Sequence, residues 1–358
     1  TDSFSYIAND GTADSNVATV TITVNAVNDA PSVAADDATV TVDEGQTASN
    51  TGSYNDPDDD TVTLSASAGT ITDNGNGTWS WSFGSTDGPD ESQTVTITAT
   101  DSDGAVSTTT FDLTVNNVAP SVAADNATVT VTEGQTANNS GTYGDPGADT
   151  VALTASAGTI TDNGDGTWSW SFGSTDGPNE NQTVTITATD SDSATATTTF
   201  ELVVNNVAPS VAADDATVTV NEGQKAGNSG TYGDPGADTV SLTASAGTLT
   251  DYGVGTWSWS FDSTDGPDES QTVTITATDS DGAVSTTTFD LTVNNVAPSV
   301  AADNALVTVD EGQTASNSGT YDDPGADTVT LSASTGTITD NGNGTWSWSF
   351  GSTDGPDE

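Results

Sequence analysis

An all-β chain, a rod of tandem seven-stranded immunoglobulin-like sandwiches, is predicted by three observations. The sequence repeats at a fixed interval, each copy alternates apolar and hydroxyl residues with period two, and turn-forming residues punctuate the alternation. The stretch Ala-Pro-Ser-Val-Ala-Ala-Asp begins at Ala30, Ala119, Ala208 and Ala297, each start 89 residues after the last. Three copies therefore run 30–118, 119–207 and 208–296, and a fourth covers 297–358. Such self-similarity marks a repeat architecture. The copies are nearly identical, so shared residues reflect duplication, and differences between copies are the more informative signal.

The elements of one copy follow in order. Ala38, Val40 and Val42 alternate with Thr, and a polar strand is expected near 47–54. Val62, Leu64 and Ala66 make the next, followed by a short one near 69–73. Trp79, Trp81 and Phe83 alternate with Ser; Val95, Ile97 and Ala99 with Thr; Phe111, Leu113 and Val115 close the copy. Period two puts one set of side chains in a core and the other in water, in residue types that favour strands. The turns fall at EGQ (44–46), NDPDDD (55–60), DNGNG (73–77), GSTDGPDE (84–91) and DSDG (101–104). Seven strands in about 89 residues is the size and rhythm of an immunoglobulin-like sandwich.

The ends differ. The fourth copy stops in the loop before its sixth strand, and residues 1–29 read as a terminal hairpin with a sequence of their own. The absence of Met fits an internal piece of a longer chain. A second reading is strand donation, in which the N-terminal hairpin of one subunit completes the C-terminal half-domain of the next and builds a filament.

Composition narrows the partners. Fifty-three acidic residues against one basic residue, Lys225, give a formal charge of -52. Phosphate recognition needs Lys and Arg, so nucleic acid is excluded as an expected partner, and docking on anionic lipid is disfavoured. No apolar run approaches the roughly 18 residues of a membrane-spanning helix, so no membrane insertion is expected. Without Cys or His there is no disulfide framework, no thiol chemistry and no imidazole base. The expected companions of this surface are water and cations.

Strand parity sorts the acids. Glu44 and the 84–91 loop belong to the pole where a copy leads into the next through Asn116 and Asn117; the 55–60, 73–77 and 101–104 loops belong to the opposite pole. Each joint thus collects carboxylates from both sides. At the first joint Glu44, Asp87, Asp90, Glu91, Asn116 and Asn117 face Asp145, Asp149, Asp190 and Asp192. At the second, Glu133, Asp176, Glu180, Asn205 and Asn206 face Asp234, Asp238, Asp279 and Asp281. At the third, Glu222, Asp265, Asp268, Glu269, Asn294 and Asn295 face Asp323 and Asp327. Oxygen donors without nitrogen or sulfur suit a hard cation, and Ca2+ tolerates irregular oxygen shells better than Mg2+. The expectation is Ca2+ at the joints; the competing expectation is that these residues simply build turns.

VTITATDSDGAVSTTTFDLTVNNVAPSV together with GTYGDPGADTV resembles bacterial PKD-like domains, and TDSFSYIANDGTADSNVATVTITVNAVNDAP resembles the end of a bacterial cadherin-like domain. The Trp-Gly-Asp-Gly signature of PKD domains is replaced here by TWSWSF. The resemblance covers essentially the whole chain. It implies tandem extracellular sandwiches of a large bacterial surface or secreted protein of the adhesin type, with joints stiffened as in cadherins by a Glu after the first strand, an Asn-rich linker and Asp pairs from the next domain. Residues 1–29 are then the terminal hairpin of a preceding cadherin-like domain.

The functional expectation is a spacer or stalk with no enzymatic activity, whose partners are neighbouring repeats of its own chain or identical chains in a filament. A carbohydrate-binding module using exposed indoles of the Trp79/Trp81, Trp168/Trp170, Trp257/Trp259 and Trp346/Trp348 pairs is the rival, although their spacing points them into the core. DNGDG at 162–166 looks like the start of a calcium loop but lacks the Glu at the twelfth position, and is read as a hairpin turn.

Overall fold

The computed structural model describes residues 1–353; the last five residues of the fourth repeat lie outside the described residues. Among the described residues there is no α-helix, hence none long and apolar enough to cross a membrane. Strands β1 (Asp2–Tyr6) and β2 (Ala18–Ile22) form a separate hairpin.

The first repeat contains β3 (Ser32–Ala35), β4 (Thr39–Asp43), β5 (Thr47–Asn55), β6 (Thr63–Ala66), β7 (Thr70–Asp73), β8 (Thr78–Gly84), β9 (Gln93–Thr100) and β10 (Val106–Asn116). One sheet runs β3-β5-β8-β7 and the other β4-β10-β9-β6. The β4–β10 pair is parallel, with Leu113 opposite Val40, while the remaining pairs are antiparallel. The sequence predicts seven strands and the structure has eight: the predicted opening strand is β4, and β3 precedes it in the other sheet. Asn50, 3% exposed, holds the break between them: its side-chain amide donates to the Asp37 carbonyl at 2.9 Å and its Oδ1 accepts from the Asp37 amide at 3.3 Å. The chain therefore starts in one sheet and crosses to the other.

Alternation delivers the core. Val40, Ala48, Trp79, Trp81, Val95, Ile97, Phe111, Leu113 and Val115 are buried together. Trp81 packs edge-on against Phe111 at 4.9 Å between centroids and donates its indole N–H to the Ala68 carbonyl at 2.7 Å. Burying one such aromatic side chain stabilises the fold by about 1.5–3 kcal/mol. A Cβ at Gly52 would lie 2.1 Å from the Ala34 carbonyl oxygen and 2.3 Å from the Trp79 ring, so only Gly lets β5 pass between them. The third repeat has the same sheets and core, with Trp259 set against Phe289 at 4.8 Å.

This packing corrects the sugar-platform reading for the first three repeats. Trp79, Trp81, Trp168, Trp170, Trp257 and Trp259 are at most 2% exposed, and an indole with no face in water cannot stack on a saccharide. Among the described residues of the fourth repeat only the sheet made of Ser299–Ala302, Thr314–Asp322, Thr337–Asp340 and Thr345–Gly351 is formed. The segments matching β4 and β6 are not strands there, because β9 and β10, which they would pair with, have no counterpart in this sequence.

The chain groups into two compact units. One comprises Thr1–Ala127, Asn139–Trp170 and Val184–Phe200; the other comprises Thr128–Asn138, Ser171–Thr183 and Glu201–Glu358. The first joint lies wholly inside the first unit, and the second and third joints inside the second.

Candidate metal centres at the joints between repeats

At the first joint Glu44 is 2% exposed although it carries no opposite charge beside it. It sits one residue past β4, where its backbone N–H reaches the Asn116 carbonyl at 3.0 Å. Its carboxylate accepts the Gly88 amide at 2.9 Å and the Val118 amide at 2.8 Å. The side chain thus ties the β8–β9 loop to the linker. Across the joint, a Cβ on Gly147 would be 2.7 Å from Glu44 Oε2; the Gly of Asp-Pro-Gly-Ala-Asp is the seat of this carboxylate. A direct bond from the Ala148 amide to the Thr86 carbonyl, 2.6 Å, joins the two repeats as well.

The acids of the following repeat are held by their own loops, each with an oxygen to spare. Asp145 accepts the Gly147 amide at 2.8 Å through Oδ1, and Asp149 Oδ1 accepts the Ser191 hydroxyl. The Oδ2 atoms of Asp145, Asp149 and Asp192 are buried without a hydrogen-bond donor. Asp190, 5% exposed, accepts the Ala194 amide at 2.8 Å and the Asn117 side-chain amide at 3.2 Å. That bond leaves Asn117 Oδ1 buried and unpaired.

The spare oxygens converge. Glu44, Asp145 and Asp149 bring carboxylate oxygens within 4.8 Å of one another, and so do Asp87, Asp149 and Asp192. Asp149 belongs to both groups. Like charges at this spacing, with little solvent, resist ionisation. Burial first, then the neighbouring acids, raises the pKa of Asp87 and Asp192; Asp149 is the leading neighbour of both. Burial also raises Asp145, with Glu44, Asp149 and Asp190 adding to it.

The second joint repeats the pattern. Glu133, 2% exposed, accepts the Gly177 amide at 3.1 Å and the Val207 amide at 2.7 Å, and lies against Gly236. The groups are Glu133, Asp234 and Asp238, and Asp176, Asp238 and Asp281. Asp234 Oδ2, Asp238 Oδ2 and Asn206 Oδ1 are buried and unpaired; Asn206 donates to Asp279 at 3.1 Å. Here Asn179 stands where the first joint has Asp90, and its amide donates to Asp176 at 3.0 Å. At the third joint Glu222, 1% exposed, accepts the Gly266 and Val296 amides at 2.9 and 2.6 Å and lies against Gly325. Asp323 accepts the Gly325 amide at 2.8 Å. Burial, followed by Glu222, Asp265, Asp323 and Asp268, raises Asp327.

Other predicted residues are placed elsewhere. Glu91, Glu180 and Glu269 spend their carboxylates on the turn they belong to: Glu91 accepts Thr86 N–H at 2.7 Å, Thr86 O–H at 3.0 Å and Asp87 N–H at 3.2 Å, and the other two repeat this with Thr175 and Asp176, and Thr264 and Asp265. Asp90 is exposed at the rim. Asn116 turns to Asp43 at 3.2 Å and Asn294 to Asn221 at 3.4 Å; Asn205 and Asn295 are exposed, and Asn116, Asn205 and Asn294 reach the buried Glu only through their backbone carbonyls. Sequence reading missed the backbone donors of Gly88 and Val118, the Ser191 hydroxyl and the seat at Gly147. The DNGNG turn is settled differently: Asp73 accepts the Tyr54 hydroxyl at 2.7 Å and the Gly75 amide at 2.8 Å, a closed local arrangement.

A donor set of carboxylates and amide oxygens, several of them buried without a proton donor, fits a hard divalent cation, because each unpaired buried oxygen is costly unless something positive faces it. Fold and site together define a tandem array of immunoglobulin-like sandwiches whose adjoining poles gather acid. Residues 28–114 and 116–203 each match the family described as Bacterial Ig domain, and these two repeats belong to that family. No curated protein matches it. Similar solved structures include the titin fragment I67–I69 in an E-to-A mutated form, 11% identical, spanning 75% of this chain and 100% of that one with a TM-score of 0.36. Protocadherin gamma B2 extracellular cadherin domains 3–6 are 13% identical, spanning 82% and 96% with a TM-score of 0.29. An endo-fucoidan hydrolase of glycoside hydrolase family 107 is 18% identical, spanning 75% and 44% with a TM-score of 0.29.

Proposed function

We propose that this chain is a spacer segment of a large bacterial surface or secreted protein, with joints between repeats locked by Ca2+. Its role is mechanical rather than catalytic: it sets distance and stiffness for whatever lies at either end. The carrying observation is that carboxylates of two successive repeats converge at the first two joints, where buried aspartate oxygens of the following repeat have no hydrogen-bond donor. Glu44, Asp145, Asp149, Asp87 and Asp192 would hold the ions at the first joint, and Glu133, Asp234, Asp238, Asp176 and Asp281 at the second. A bound cation supplies the positive charge that this chain, with its single Lys, lacks. Without it the acids repel and each joint opens; with it two repeats act as one body. Extracellular modules of this kind bind Ca2+ at about 10⁻⁴–10⁻³ M, so ambient calcium outside a cell would keep the joints occupied.

Small-angle X-ray scattering of the full chain tests the reading, in EDTA, in 5–10 mM Ca2+ and in matched Mg2+, at constant ionic strength. The expected result is a longer, stiffer particle in Ca2+ alone. Coincident curves would sink the reading and leave the acids as solvated turn residues.

A further inference from the structure

The loop between β5 and β6 of the first repeat differs from its three counterparts. It reads Asp56-Pro57-Asp58-Asp59-Asp60, where the others read Asp-Pro-Gly-Ala-Asp. The substitution falls at the seat of the incoming Glu: Asp58 stands where Gly147, Gly236 and Gly325 leave room for the carboxylate of the repeat before.

The Asp58 carboxylate takes over that carboxylate's bond. In the first joint the linker amide of Val118 donates to Glu44 at 2.8 Å; in the first repeat the matching linker amide, Asp29, donates to Asp58 Oδ2 at 2.8 Å. Other features of the joint recur. Asp60 accepts the Ser102 hydroxyl at 3.2 Å, as Asp149 accepts that of Ser191. Asn28 donates to Asp101 at 3.0 Å, leaving its Oδ1 buried and unpaired. The loop also closes on itself: the Asp59 amide points to the Asp56 carbonyl at 3.4 Å, whereas the Ala148 amide reaches across the joint to Thr86. Asp56, Asp58 and Asp60 bring carboxylate oxygens within 4.8 Å of one another. Asp56 is 8% exposed; its Oδ1 accepts the Asp58 and Asp60 amides at 2.8 and 3.3 Å, and its Oδ2 is buried with no partner.

We infer that Asp56, Asp58 and Asp60, with the Asn28 side-chain oxygen, form a Ca2+ site belonging to the first repeat and its linker alone, in which Asp58 replaces the Glu that a preceding repeat supplies elsewhere. Three carboxylates and an amide oxygen are a hard-cation donor set. Such a site fills without recruiting a carboxylate from the domain before it, so its ion orders the linker but does not clamp two domains together. The joint ahead of the first repeat is then of a different mechanical kind. This rests on the calcium reading of the joints, and the experiment keeps the two apart.

The test counts Ca2+ bound to the full chain by native mass spectrometry and isothermal titration calorimetry, for the unmodified protein and for Asp58→Asn, Asp58→Gly and Glu44→Gln. Asp58→Gly installs the residue the other repeats carry, so folding is preserved even if the Asn variant is perturbed. The expected result is one ion fewer in each Asp58 variant, with the backbone amide resonances of Asp29 and Asp60 no longer shifting on Ca2+ addition, while Glu44→Gln leaves those shifts in place. An unchanged ion count in both Asp58 variants overturns this inference and spares the joints. If no Ca2+ binds the unmodified chain at millimolar concentration, both readings fall.

Discussion

Two tryptophans of one strand differ in what a substitution removes. The indole N–H of Trp81 is satisfied by the Ala68 carbonyl, whereas that of Trp79 is buried with no partner. Both changes to Phe lose apolar volume, but Trp81→Phe also strands a carbonyl, and Trp79→Phe removes an orphan donor. Trp81→Phe should therefore cost about 1–3 kcal/mol more, read from hydrogen exchange of the β8 and β9 amides in the full chain. Equal losses would mean that volume alone decides. The same scale governs the joint. Gly147→Ala places a methyl 2.7 Å from Glu44 Oε2 without requiring an unusual backbone angle. It should weaken Ca2+ binding at the first joint about tenfold or more while leaving sandwich stability within about 1 kcal/mol, since surface changes away from the core are small. Undiminished affinity would show that the Glu44 carboxylate has no part in the site.

At the scale of elements, the break between β3 and β4 lets the first repeat use both sheets from its opening residues, and Gly52 is the hinge of that arrangement. A side chain there collides with the backbone of β3 and with the Trp79 ring together. Gly52→Ala should separate β3 from β5 and cost about 3 kcal/mol, at the upper end of overpacking penalties. Circular dichroism melts and loss of amide protection at Val33 and Ala35 would report it. The loop after β8 is a second element whose role is legible: Glu91 closes it, and the Gly88 amide it presents is the one that fixes Glu44. This explains why acids a few residues apart in sequence divide into one that braces a turn and another, Asp87, that faces the joint.

For the molecule as a whole, 53 acidic groups against one Lys mean that stability is tied to pH and cations together. The one ion pair among the described residues, Lys225 to Asp262 at 3.6 Å, is largely exposed and contributes little. Burial and like charge raise the pKa of Asp87, Asp145 and Asp192. The folded chain therefore holds more protons than the unfolded one just above the ordinary carboxylate range, and in EDTA stability falls as pH rises through that window. Asp101 runs the other way: the Asn28 side-chain bond leads the causes that lower its pKa, so its contribution is lost only as pH falls below the ordinary range. Ca2+ binding requires the charged carboxylates. At 10 mM Ca2+ and the affinities above, each ion adds about 1.4–2.7 kcal/mol at neutral pH. The gain in Tm from Ca2+ over EDTA should shrink steadily from pH 7 towards pH 4.5. A gain independent of pH would exclude these carboxylates as ligands.

Seven of the eight strands, the buried face of each, the 89-residue period and the poles to which the acids belong were readable from the sequence, because they follow from local periodicity and from the alternating direction of successive strands. The eighth strand was not, since it depends on Asn50, which is distant along the chain, gripping Asp37. Nor could spacing distinguish Glu44, buried on the amides of two other segments, from Glu91, spent on its own turn; both are simply acids at the same pole. The difference between Gly147 and Asp58 was printed in the repeats from the outset. Only the tertiary structure gives it a meaning, by placing another segment's carboxylate where a side chain at 147 would have to be.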